Sequence, residues 1–166
     1  MTLPSIDALA AQSARLKRVF GWLFGIGAFL LFSEVLYIPL KGIVQAVGTP
    51  DLGAAGERLV LLAIECLPAL ALLAALWTAR HLFKTYAEGA ILSAEGGRLL
   101  GRMGDWLVAS GILAVLVGPA NTKMDALTGS YATVQVALIC VGVAIRLVGR
   151  VQGLAAQIKA DHEQIV

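Results

Sequence analysis

Two acidic residues sit inside apolar sequence, and they are the residues best placed to do chemistry. Glu34 lies in the run Val19–Leu40, where it is the only ionisable side chain among 22 residues, and Glu65 lies in the run Leu59–Ala79. If both runs cross a bilayer in opposite directions, each carboxyl falls roughly 9 Å below the same surface, six residues in at the helical rise. Hydrocarbon disfavours the charged carboxylate, and a second carboxylate at the same depth disfavours it further. Two facing acids would then share a proton. Pro68 follows Glu65 closely and cannot donate to the Ile64 carbonyl, which loosens the helix there. That arrangement is one a small proton-linked transporter or channel would use. A structural reading stands beside it: Lys41 and Arg58 are within reach for pairing at the headgroup level, and hydrogen bonding would then account for both acids.

Other chemistries find little support. There is no H-E-x-x-H, no G-x-S-x-G and no phosphate-binding loop, so no enzyme is expected. Cys66 and Cys140 are far apart in apolar runs and read as buried small hydrophobes, without a zinc site or a disulfide framework. His81 and His162 both fall outside the apolar runs, which argues against a haem held between the helices, and no cofactor or metal is expected. A net charge of +2 gives no case for direct nucleic-acid binding.

The elements that carry these residues are set by composition. With 58% hydrophobic and 14% charged residues and a mean hydropathy of +0.82, the chain lies far from soluble domains, in which about a quarter of residues are charged. The apolar runs predict four spans, at about residues 19–40, 59–80, 104–120 and 131–151. The polar segment 1–18 has apolar residues at helical spacing and is expected to lie amphipathically on the membrane surface, and 152–166 is expected to be an amphipathic cytoplasmic tail, with Leu154, Ile158 and Ile165 recurring among charged residues. The fold class is therefore all-α: one polytopic domain, a four-transmembrane-helix bundle with cytoplasmic helical extensions.

Orientation follows from the cations. An even number of spans puts both termini on one side, with Arg15, Lys17, Arg18, Arg80, Lys84, Arg98, Arg102, Arg146, Arg150 and Lys159. Lys41, Arg58 and Lys123 lie opposite, so ten cations face three. Under the positive-inside rule the termini and the passage from Arg80 to Trp106 are cytoplasmic in a bacterial inner membrane. Within that passage the second helix should run past the membrane and stop at Gly89, and Ser93 should cap the next helix with Glu95 in its first turn. Arg146, some five residues inside the fourth span, is expected to snorkel toward lipid phosphate.

Gly97, Gly104, Gly111 and Gly118 recur every seventh residue along the third span and its extension, and Gly101 widens the stripe. In lipid, small residues let helix backbones approach closely. The stripe therefore reads as a packing seam, either inside the bundle or between two copies of the chain. Arg80, Lys84, Arg98 and Arg102, with Glu163 in the tail, form a cytosolic face able to dock a partner.

The sequence also resembles a bacterial family of small four-span membrane proteins classed as a domain of unknown function. The resemblance rests on Gly89, Ile91, Leu92, Ser93 and Glu95 before the third span, and on Glu163, Ile165 and Val166 at the close, with Leu92 where that family has a bulky aromatic. Its members are frequently encoded beside a small helix-turn-helix regulator, which implies a membrane-bound partner of a DNA-binding protein. A regulatory membrane protein is accordingly the first expectation. The transporter and an accessory subunit of a larger membrane complex are the alternatives.

Overall fold

A computed structural model describes residues 6–33, 37, 52–90, 93–118 and 129–164. Its elements are all helical: α1 (Ile6–Phe32), α2 (Leu52–Ala87), α3 (Ala94–Val117) and α4 (Gly129–Gln164). Among the described residues three stretches are long and apolar enough to cross a membrane, Val60–Ala87, Ala94–Val117 and Tyr131–His162. Of the first apolar run, 14 residues, 19–32, fall inside α1.

One boundary differs from expectation. From Ile6 onward the polar segment is not a separate surface helix, because α1 continues unbroken through Arg18 into the apolar run. Arg15, Leu16, Lys17 and Arg18 are all good helix formers, and nothing local interrupts the hydrogen-bond ladder. At the other end α4 extends without interruption through 152–164, in keeping with a helical extension there. At about 1.5 Å per residue the 36 residues of α2 or α4 make a rod of roughly 54 Å, well beyond a hydrocarbon layer of about 30 Å.

The turn between α2 and α3 has the local chemistry its residues dictate. Gly89 takes φ +87°, a left-handed conformation that a Cβ would oppose. Its N–H donates to the Tyr86 carbonyl and that of Ala90 to the Thr85 carbonyl, the paired bonds of a Schellman stop. Ser93 is extended and its Oγ accepts from the Gly96 N–H at 3.0 Å, capping α3 as its position predicts.

Successive helices pack antiparallel in chain order, α1 on α2, α2 on α3 and α3 on α4. Among the described residues α1 and α4 do not meet, so the bundle is open on that side. The α1–α2 contact is aromatic: the Phe20 and Phe83 rings stack at 5.1 Å, and Phe24 lies 5.1 Å from Trp77. On α2 the buried positions Ala71, Ala75, Ala79 and Leu82 form one stripe of mostly small residues, which brings its neighbours close. Ser110 of α3 donates to the Pro68 carbonyl at 2.9 Å, and Tyr131 at the start of α4 donates to the Ala114 carbonyl at 2.9 Å.

Large apolar side chains cover the outside. Trp22 is 74% exposed, Phe29 68% and Leu116 76%, and α4 turns Val134, Val141, Leu147 and Val151 outward. A water-soluble protein of this size rarely presents so much contiguous apolar surface. Length, composition and outward surface together fit a protein embedded in lipid.

Candidate functional site

The seven-residue glycine stripe of α3 meets a second glycine stripe on α4. A methyl group added at Gly97 would lie 2.8 Å from the Gly149 carbonyl oxygen, and one added at Gly104 would lie 2.5 Å from that of Gly142. At Gly111 it would strike Ile139 Cγ1 at 2.6 Å. From the other side, a Cβ on Gly149 would sit 2.6 Å from the Gly101 nitrogen. The two backbones therefore touch, which leaves no room for side chains along the seam. Gly118 departs from the pattern. Nothing lies near its would-be Cβ, and with φ +74° it ends α3 by donating to the Ala114 carbonyl at 3.0 Å. Its spacing matches the seam, but its conformation serves the cap.

Close backbone approach has a consequence at the end of the seam where the arginines lie. Long side chains on either helix cannot enter between the glycines, so they stand along the edges of a groove about 380 Å³ in volume. Arg98 and Arg102 of α3 form one edge, and Arg146 and Arg150 of α4 form the other. Gly97, Gly101, Gly149 and Gly153 make the floor. Asp105 is the single acid, and its Oδ1 takes Arg146 Nε at 3.1 Å, with both side chains about half exposed. Arg146 therefore does more than snorkel: part of its guanidinium is held across the seam. Among the described residues no ion pair holds Arg98, Arg102 or Arg150.

Other basic residues gather at the same end of the molecule without joining this groove. Arg80 lines a smaller cleft of about 260 Å³ with Lys17, Arg18, Gly21 and Trp22, between α1 and α2. Its guanidinium lies over the Trp77 ring at 5.4 Å. Lys84 points into solvent and sits 3.9 Å from Glu88 on the next turn. The expected docking face is thus divided: Arg98 and Arg102 share one groove, Arg80 belongs to another, and Lys84 stands apart. The backbone of Glu163 continues α4, and its side chain lies outside the described residues.

A hydrogen bond ties this end together. Tyr86 O–H on α2 donates to Gln152 Oε1 on α4 at 2.9 Å, across the first turn of α3. Gly96 lies beneath it, where an added Cβ would come within 3.1 Å of Tyr86 Cε1 and 3.2 Å of Gln152 Nε2.

Glu65 is half-buried on α2 beside the buried Cys66, and Glu34, its expected partner, lies outside the described residues. Cys140 is not buried as expected but faces outward from α4, because the helix turns its glycines rather than this residue to α3. Among the described residues no group of three His, Cys, Asp or Glu gathers as metal ligands would.

Sequence reasoning had Arg98 and Arg102 but assigned Arg146 to lipid alone and gave Arg150 and Asp105 no part in a shared site. The available signal was the glycine spacing of α4, with Gly142 and Gly149 seven apart like those of α3. Comparison with known proteins adds no identity: no family model, no curated protein and no solved structure matches the chain.

Proposed function

We propose that this chain is a regulatory, non-catalytic protein of the bacterial cytoplasmic membrane. It crosses four times, with both termini and the Arg80–Trp106 passage in the cytoplasm, and works by docking a cytosolic partner on the basic end of its helices. The observation that carries this reading is the concentration of cations at one end: Lys17, Arg18 and Arg80 line one cleft, and four arginines line the other. Cations gathered beside apolar rods are what the positive-inside rule places in the cytoplasm. The remaining span is supplied by the apolar run Val19–Leu40, whose residues 19–32 belong to α1.

The Schellman stop, the serine cap and the Tyr86–Gln152 bond give that end a defined surface, which supports docking of a folded partner. The family resemblance supports a helix-turn-helix regulator as that partner. Two experiments test the reading. In a variant with both native cysteines replaced and Glu88→Cys added, a membrane-impermeant maleimide should label only after the cells are opened. Labelling of intact cells would overturn the topology. A regulator that co-purifies with the full chain should be lost on Arg80→Glu with Lys84→Glu, and retention at wild-type levels would overturn the docking reading.

A further inference from the structure

The groove between α3 and α4 has a chemistry of its own. Four guanidinium groups surround it, each a planar fork of donors whose geometry matches phosphate oxygens. One carboxylate is present, so the formal charge of the groove is +3 from four arginines and one aspartate. The glycine floor keeps the centre clear of side chains. A volume of about 380 Å³ falls at the lower end of the range of roughly 300–1,000 Å³ for small-ligand sites.

A second feature says what kind of phosphate belongs there. The face of α3 that carries Arg98, Arg102 and Asp105 continues at helical spacing to Ile112 and Leu116, which are 46% and 76% exposed. The face of α4 that carries Arg150 and Arg146 continues to Val143 and Val136, exposed by 54% and 55%. An apolar track thus leads away from the cationic groove on both helices. A soluble phosphate compound has no use for such a track, whereas acyl chains do.

We propose that this groove binds paired phosphate groups presented by an acidic membrane phospholipid, with the headgroup between the four arginines and the acyl chains lying along Ile112, Leu116, Val143 and Val136. A headgroup with two phosphodiesters carries −2 against the +3 of the groove and engages both arginine edges at once. A headgroup with one phosphate carries half that charge and offers fewer oxygens to the four arginines. The proposal relies on the membrane placement argued above but not on any cytosolic partner, and its test reads lipid alone.

The test is native mass spectrometry of the purified full chain in detergent, titrated separately with tetraoleoyl cardiolipin, dioleoyl phosphatidylglycerol, dioleoyl phosphatidylcholine and inorganic pyrophosphate. The expected result is cardiolipin binding about tenfold or more tighter than phosphatidylglycerol, as one additional charge-assisted contact set implies. Phosphatidylcholine should bind more weakly still, and pyrophosphate should not displace cardiolipin. Arg98→Gln with Arg150→Gln should remove the cardiolipin preference, Asp105→Asn should strengthen it, and Arg18→Gln in the other cleft should leave it unchanged. The gain at Asp105→Asn keeps the test decisive if the double variant folds poorly. Displacement by pyrophosphate would assign the groove to a soluble ligand and overturn the lipid assignment. Equal loss on Arg18→Gln, or equal binding of both acidic lipids, would mean diffuse surface charge and would overturn the site.

Discussion

Asp105 of α3 and Arg146 of α4 face each other across the glycine seam with Oδ1 and Nε 3.1 Å apart, beside the point where Gly104 meets the Gly142 carbonyl. The pair can form only because the backbones beneath it touch. With both partners about half exposed, its contribution to stability is small, below about 1 kcal/mol. A double-mutant cycle of Asp105→Asn and Arg146→Gln should give a coupling energy under that figure. A coupling several times larger would show that the pair, rather than the glycines, holds the two helices together.

The seam itself should be intolerant of a single carbon. Gly104→Ala places a Cβ against backbone on the partner helix, which cannot move aside as a flexible side chain would. The expected loss is about 1–3 kcal/mol, the range for overpacking. Gly25→Ala on α1, where nothing lies within 4 Å, should change stability by no more than about 0.5 kcal/mol. Unfolding of both variants in mixed detergent checks the contrast, and equal effects would count against the seam.

Ser110→Ala removes the hydroxyl that reaches the Pro68 carbonyl at 2.9 Å between α3 and α2. Interhelical hydrogen bonds in lipid average about 0.6 kcal/mol, and the same unfolding assay should register a loss of that order.

Tyr86→Phe keeps the ring and deletes the bond to Gln152. The expected cost is about 0.5–1.5 kcal/mol. Amide hydrogen exchange should accelerate around Gly96 and the first turn of α3, and not around Ser110. Uniform acceleration would mean that the bond does not act locally.

The two native thiols should differ in reactivity. Cys140 faces outward from α4 and Cys66 is buried in α2. A lipid-soluble maleimide added to membranes should therefore modify Cys140 first, with Cys66 reacting only after unfolding. Mass spectrometry of digested protein reads the order directly.

Much of the local structure was legible in the residues. Gly89 and Ser93 marked the stop and start of adjacent helices because a left-handed glycine and a side-chain oxygen act on backbone groups a few residues away. The apolar runs announced long helices, since a bilayer demands about 20 apolar residues wherever the chain goes. The seven-residue spacing on α3 put Gly97, Gly104 and Gly111 on one face for a similarly local reason, the helical period. That same spacing misled at Gly118, where backbone conformation rather than face membership decides the role. The start of α1 differs from the expected surface segment. Polarity changes at residues 18 and 152, but the hydrogen-bond ladder does not depend on polarity and runs on.

Tertiary structure alone decided what the stripe meets and what stands above it. Helical period says which residues share a face, but it carries no information about which helix lies opposite or in what register. Only the antiparallel seating of α4 on α3 brings Gly149 to Gly97 and Gly142 to Gly104. That seating places Arg146 and Arg150 across from Arg98 and Arg102. Sequence determined that these arginines lie toward the ends of apolar runs, because lipid excludes charge. Their convergence on one groove is a property of two backbones in contact, which no single helix encodes.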